Sequence, residues 1–218
     1  FYYPGTHLAE VSAKRQITVG LSGIVRSTPQ GSGVVLPARS DLRLSHKGNP
    51  VALPRSVGGK SVSVFRVVRG SGGLEVWAVS SDKATKVEGG MNGSVRWRTA
   101  AAVDRSRVAV QSASGTTRVY RGFLEVVPGS TSVLAVNRLL LEHYLRSVVS
   151  SEVPSSWTDA ALRAQAVAAR SYALLAQVNS RAANRAYDIC DTTSCQVYSP
   201  ISGETAPEVA AVKATSRQ

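Results

Sequence analysis

The stretch at residues 142–172 reads Glu-His-Tyr-Leu-Arg-Ser-Val-Val-Ser-Ser-Glu-Val-Pro-Ser-Ser-Trp-Thr-Asp-Ala-Ala-Leu-Arg-Ala-Gln-Ala-Val-Ala-Ala-Arg-Ser-Tyr, two helical patterns joined at a Glu-Val-Pro corner. Apolar residues recur at helical spacing before the corner and predict a helix around 137–150, which stops before Pro154 because the residue preceding proline avoids helical angles. Asn137 is expected to cap this helix, since its side chain can accept a free backbone N–H. The alanine-rich second half predicts a helix around 157–179, whose small residues allow close packing.

Glu152 is the acidic residue at the corner. A carboxyl group in such a position can be partly buried, which raises its pKa and lets it act as an acid near neutral pH. The alternative is a surface glutamate at the end of a helix, and the residues alone leave both interpretations open.

The first half of the chain has the pattern of β-strands separated by glycine turns. Two apolar runs at 61–68 and 74–79 flank Arg-Gly-Ser-Gly-Gly and predict a hairpin. Residues 117–127 predict two strands that pivot on Gly122. A Thr-Ala-Pro-Glu sequence at 205–208 has the form of a capping box and predicts a third helix around 205–215. The fold class is therefore α+β with a β-rich N-terminal half.

The composition limits the classes of protein to consider. The 218 residues are 43% hydrophobic and 18% charged, enough to fold one or two domains, and no run reaches the length of a transmembrane helix. The opening residues lack the basic start and long apolar core of a signal peptide.

The net charge of +12 favours a polyanionic partner, either nucleic acid or the anionic polymers of a bacterial envelope. The positive residues are scattered, whereas a single-strand binder would want a basic run interleaved with aromatics, so nucleic acid is the less favoured partner. A merely solvated basic surface is the ordinary alternative.

A resemblance to a known family covers about 120–218. The SpoIID/LytB family of cell-wall proteins has Asn, then Leu-Glu-x-Tyr-Leu, then Val-Val-x-x-Glu-(Met/Val)-Pro-x-x-Trp, then Ala-Leu-(Lys/Arg)-Ala-Gln-Ala-Val-Ala-Ala-Arg-(Thr/Ser)-Tyr-Ala. This chain resembles that pattern at Asn137, 141–145, 148–157 and 161–173. The sequence Asp-Ile-Cys-Asp-Thr-Thr-Ser-Cys-Gln-Val-Tyr at 188–198 is similar to the next signature of the family.

The family pattern continues beyond both ends of this resemblance. Residues 211–218 look like the family's Ala-Val-x-x-Thr-x-Gly-Gln, with Arg217 where glycine is usual, and in the family further strands follow. Residues 2–6 look like the tail of another family segment. We therefore expect a SpoIID-like catalytic domain at 1–21 and 120–218 that lacks its C-terminal part, with 22–119 as a β-rich inserted or supporting region.

The resemblance implies a lytic transglycosylase that cleaves peptidoglycan glycan strands with Glu152 as acid and then base. This chemistry needs one carboxyl group, whereas ordinary glycoside hydrolysis commonly pairs two. Arg170 matches the arginine of the family's second helix and could bind substrate, although a structural ion pair is equally consistent. The other residues expected at the site are Arg163, Gln196 and Tyr198 as substrate contacts, and Gln165 and Trp157 as structural support.

The resemblance also implies location and partners. We expect a secreted or envelope protein whose partners are peptidoglycan glycan strands or other anionic wall polymers, with an amidase as a further candidate partner. The alternative function is a non-catalytic wall-binding module or amidase enhancer. Cys190 and Cys195 could supply half of a zinc site, form a disulfide or remain free thiols. A disulfide is favoured for an exported protein, and no other cofactor is expected.

Overall fold

A computed structural model describes residues 11–218 of the chain, and the expected contribution of residues 1–10 lies outside this range. The α+β class is confirmed, with the strands concentrated before residue 141 and the helices after it. The helices are α1 Leu141–Glu152, α2 Asp159–Ala182 and α3 Ala206–Ala214. The strands are β1 Gln16–Leu21, β2 Arg26–Thr28, β3 Gly31–Pro37, β4 Leu42–His46, β5 Asn49–Val51, β6 Ser56–Val57, β7 Lys60–Ser61, β8 Val64–Gly70, β9 Gly73–Val79, β10 Ala84–Met91, β11 Val95–Thr99, β12 Arg107–Gln111, β13 Thr117–Arg121, β14 Phe123–Pro128, β15 Val133–Leu140 and β16 Ile189–Cys190.

Two sheets contain most of the strands. The larger has seven strands in the order β16-β1-β15-β14-β11-β4-β5, and the smaller has five in the order β10-β9-β8-β3-β2. Phe65 of the smaller sheet contacts Trp97 of the larger, with ring centroids 5.6 Å apart, and both side chains are buried. The sheets therefore share one core.

The seven-stranded sheet crosses the division expected at residues 22 and 119. Strands β4, β5 and β11 come from the inserted region and share this sheet with β14, β15 and β1 of the expected catalytic domain. The pairing of β11 with β14 joins the two parts. The division into domains stays a prediction, and the backbone ladder is continuous across it.

The predicted hairpin and pivot are confirmed. Strands β8 and β9 pair antiparallel and end with Gly70 opposite Gly73, so the glycine-rich sequence forms the tight turn. Gly122 separates β13 from β14 at a φ of 80°, and a Cβ there would collide with the carbonyl oxygen of Arg138. Only glycine fits this backbone without strain.

Asn137 does not cap α1 and lies inside strand β15 instead. Its buried amide donates to the carbonyl oxygens of Arg121 and Phe123 at 2.9 and 2.8 Å. These two carbonyls flank the pivot at Gly122, where the ladder is interrupted, and a buried carbonyl needs a donor. The helix therefore begins at Leu141, later than expected.

Helices α2 and α3 agree with their predicted positions. Thr158 caps α2 by accepting the N–H of Ala161 at 3.4 Å, and Leu162 and Ala166 lie on its buried face. Thr205 precedes α3 but forms no capping bond to it; its hydroxyl contacts Glu208 instead, so the expected capping box is not formed. No helix within residues 11–218 is long and apolar enough to cross a membrane.

Candidate active site at the end of helix α1

Glu152 is the last residue of α1, and its carboxylate is exposed. Oxygen Oε1 accepts the backbone N–H of Val197 at 2.8 Å, and Oε2 has no hydrogen-bond partner within residues 11–218. Of the two interpretations that the sequence left open, the structure has the exposed one, and Pro154 and the loop that follows it are also exposed. The structure instead holds one oxygen by a backbone donor and leaves the other facing solvent.

Tyr144 lies beneath Glu152, two helical turns earlier. Its buried hydroxyl donates to Oε1 of Gln196 at 3.0 Å, and Gln196 donates from Nε2 to the carbonyl of Ala169 at 3.4 Å. Burial raises the pKa of Tyr144 far above its usual range, and the nearby charge of Glu152 raises it further. Gln196 therefore links α1 to α2, and the next residue along the chain binds the Glu152 carboxylate.

The loop that carries Val197 is fixed at several points. Cys190 and Cys195 form a disulfide whose Cα atoms are 5.6 Å apart. At the far end, Tyr198 donates its hydroxyl to Oδ1 of Asn137 at 2.7 Å. These attachments hold the Val197 N–H in place opposite Glu152.

The disulfide bears on the expected zinc site. Both sulfurs are used in the bond, so Cys190 and Cys195 could bind zinc only after reduction. Within the part of the chain that the structure describes, no group of three His, Cys, Asp or Glu residues could hold a metal ion.

Gln196 and Tyr198 were expected to line the glycan groove, but both side chains are buried. The Tyr198 ring stacks between those of Tyr120 and Tyr144, with centroid distances of 5.7 and 5.3 Å. Burial raises the pKa of Tyr198 well above its usual range. These residues shape the loop from below and are not accessible to a substrate.

Arg170 is also buried, and its guanidinium forms an ion pair within the fold. Its Nε and Nη2 atoms each lie 2.8 Å from the carboxylate oxygens of Glu142 on α1. This bidentate geometry is the strongest form of such a pair. The structural ion pair therefore replaces the expected substrate contact.

Arg163 occupies the opposite kind of environment on the same helix. It is exposed and pairs with Asp159 one turn earlier at 2.8 Å, without a contact to Glu152. Gln165 was expected to tie the helix to the Glu152 loop, but it is half-buried and makes no side-chain hydrogen bond within residues 11–218. Gln196 has the linking role instead.

Two exposed aromatic side chains belong to the surroundings of the site. Trp157 follows the corner and is 49% exposed, and its expected role as structural support stays a prediction. Tyr172 on α2 is 46% exposed and close enough to Tyr144 to affect its pKa. The sequence interpretation missed Tyr172, although it lies in the same motif as Arg170.

Comparisons with known proteins found similarity to part of the chain. No solved structure matches it. An uncharacterized protein of Brachyspira hyodysenteriae is 38% identical over 79 residues, which make up 36% of this chain and 21% of that protein. The chain thus spans about a fifth of the length of this curated relative. A family model described as SpoIID, stage II sporulation protein, matches residues 129–218. This part of the chain, which contains Glu152 and its loop, is therefore similar to the SpoIID family of stage II sporulation proteins.

Proposed function

We propose that the SpoIID domain is a lytic transglycosylase that cleaves peptidoglycan glycan strands, with Glu152 as acid and then base. The observation that supports this proposal is the geometry of the Glu152 carboxyl group, which has one oxygen bound by the N–H of Val197 and the other free on an exposed surface. A general acid needs to be positioned and also to reach the atom that it protonates.

The reaction requires a single carboxyl group. The proton on the free oxygen passes to the glycosidic oxygen as the bond from that oxygen to the anomeric carbon breaks. The resulting carboxylate then accepts the proton of the primary hydroxyl on the same sugar, whose oxygen closes on the anomeric carbon. Glu152 ends protonated again, water is not consumed, and the product carries an anhydro end.

The open surface around Glu152 suits a polymer that covers the site when it binds. A bound strand would expel water from the carboxyl group and strengthen the electrostatic interactions there. Trp157 and Tyr172 are half-exposed aromatic side chains near the site, and each offers an apolar ring face to a substrate.

The test is mass spectrometry of purified glycan strands, with and without stem peptides, after incubation with the chain. The proposal predicts anhydro-ended fragments from the wild type and none from Glu152→Gln. Glu88→Gln is the matched control, since Glu88 is also exposed and also accepts one backbone N–H. Equal products from wild type and Glu152→Gln would contradict the proposal.

A non-catalytic role, as a wall-binding module or amidase enhancer, has one observation in its favour. Tyr172, Leu175 and Val178 form an apolar stripe on α2 and are 46%, 61% and 58% exposed. An exposed apolar patch is typical of a protein contact. If this role is correct, Glu152→Gln should still bind glycan and stimulate an amidase, and Leu175→Ser/Val178→Ser should abolish stimulation.

A further inference from the structure

A cleft of about 920 Å³ lies on the β-rich half, along strands β4, β5 and β11. Five arginines line it, no acidic residue does, and neither Glu152 nor Val197 belongs to its walls. The arginines are Arg39, Arg43, Arg55, Arg96 and Arg98. The cleft is therefore a basic site separate from the candidate active site.

Two of the five arginines have carboxylate partners. Arg39 pairs with Asp41 at 2.9 Å, and Arg96 pairs with Glu125 at 2.7 Å. Within residues 11–218, the other three have no carboxylate at ion-pair distance, and they are exposed: Arg43, Arg55 and Arg98. Their charge is available to a ligand.

The sheet register brings two of these charges face to face. Arg43 on β4 is directly opposite Arg98 on β11, and both side chains point to the exposed face. Like charges in directly opposed positions destabilise a sheet. Arg43 is also oriented by its own strand, since its Nη1 donates to the carbonyls of Ser40 and Leu42, both at 2.9 Å. An anion bound between the two guanidiniums would relieve the repulsion.

The walls do not offer the surfaces on which bases or sugar rings stack. Phe65 is buried beneath the cleft, and the Arg96 guanidinium covers the half-buried ring of Phe123 at 6.0 Å. Binding of single-stranded nucleic acid depends on exposed aromatic platforms. The remaining apolar walls, such as Val51 and Leu53, are aliphatic and suit methylene groups.

From this combination we infer that the cleft binds a polyol chain linked by phosphodiesters, an anionic polymer of the cell wall. A phosphate of this polymer can accept from two opposed guanidiniums at once, and its polyol links present methylene groups to the aliphatic walls. Such binding would hold the protein on the wall without involving Glu152.

The test is a titration of the 218-residue chain with poly(glycerol phosphate) at several NaCl concentrations. Arg43→Gln/Arg98→Gln should bind about tenfold more weakly, and its slope of log affinity against log salt should be smaller by about two. Arg69→Gln/Arg185→Gln is the matched control, since both arginines are exposed and lie outside the cleft. This control and Glu152→Gln should bind like the wild type, which separates the cleft from the active site.

Thermal unfolding gives a second measurement. Without polymer, Arg43→Gln/Arg98→Gln should unfold at no lower temperature than the wild type, because it removes a repulsion. Polymer should raise the unfolding temperature of the wild type by more than that of this variant.

Three outcomes would overturn the inference. The first is equal affinity of the cleft variant and the control variant for poly(glycerol phosphate). The second is tighter binding of single-stranded DNA with the same number of phosphates, which would make nucleic acid the ligand. The third is equal binding of poly(glutamic acid), which would show that the cleft does not distinguish phosphodiesters from carboxylates.

Discussion

The arginines that pair with carboxylates of the helical half have surroundings opposite to those of Arg43 and Arg98 in the β-rich cleft. Arg170 is buried against Glu142, and Arg121 pairs with Glu204 at 2.7 Å with both side chains nearly covered. In the cleft, Arg43 on β4 faces Arg98 on the neighbouring β11. Neither has a carboxylate at ion-pair distance within residues 11–218, although the charge of Arg43 lowers the pKa of Asp41. An arginine that pairs with a buried carboxylate from another part of the chain therefore stabilises the fold and is not available to a ligand.

The largest effect should come from breaking the buried pair of α1 and α2. Arg170→Met leaves the Glu142 carboxylate without its partner and should cost about 3–5 kcal/mol of the free energy of unfolding. The double variant Arg170→Met/Glu142→Leu should recover most of this loss, since an apolar pair can replace a buried ion pair. Urea denaturation of both variants measures their free energies of unfolding. An unchanged stability of Arg170→Met would show that the buried ion pair does not stabilise the fold.

His143 should make the helical half sensitive to acid. Burial, with the charges of Arg146 and Arg121, lowers its pKa to about 4, although Glu204 and Asp104 oppose this shift. The folded protein therefore keeps His143 neutral, while the unfolded chain binds a proton near the ordinary pKa of 6.5. Stability from this group is present above pH 6.5 and is lost as the pH falls towards 4.

The expected loss is about 2 kcal/mol between about pH 7.5 and about pH 5. Urea denaturation at the two pH values measures it, and His143→Gln is the comparison variant. The variant should lose less stability on acidification than the wild type. An equal loss in both proteins would assign the acid sensitivity to other groups.

The disulfide should have an intermediate effect on the loop that binds Glu152. Cys190→Ser/Cys195→Ser removes a short covalent closure and should lower the free energy of unfolding by about 2 kcal/mol. Denaturation of the wild type with and without reductant provides the parallel measurement. If zinc restored the stability of the reduced wild type, the pair would act as metal ligands instead.

The smallest effect should come from the exposed arginine of α2. Arg163 and Asp159 have side chains that are 51% and 64% exposed. Arg163→Gln should change the free energy of unfolding by about 0.3–0.5 kcal/mol, with the difference diminishing in high salt. A cost similar to that of Arg170→Met would mean that burial does not separate the two arginines.

Local patterns in the sequence were sufficient to predict some of the helices and turns. The alanine-rich pattern located α2, the Thr-Ala-Pro-Glu sequence at 205–208 located α3, and the glycines located the β8–β9 turn and the pivot at Gly122. The prediction that Asn137 caps a helix was wrong because the preference for caps is a local property, whereas its hydrogen-bond partner Tyr198 lies far along the chain. The side-chain amide of Asn137 could either cap a helix or form buried hydrogen bonds, and tertiary packing favours the buried hydrogen bonds.

Site residues were harder to assign for the same reason. The motif located Glu152, but exposure depends on which elements cover a side chain, so the burial of Arg170 and Tyr198 could not be read from their positions. The alternation in Val-Arg-Trp-Arg at 95–98 did contain a signal that Arg96 and Arg98 share a face. The scattered charges of the sequence become a cleft only when the strands pair.

The most direct test of the account is the rate at which anhydro ends form from purified glycan strands. Glu152→Gln keeps the shape of the side chain but cannot donate or accept the proton, so the rate should fall by about 10²–10⁴-fold. Glu88→Gln should match the wild type in the same assay. A wild-type rate from Glu152→Gln would contradict the central claim that this carboxyl group performs the cleavage.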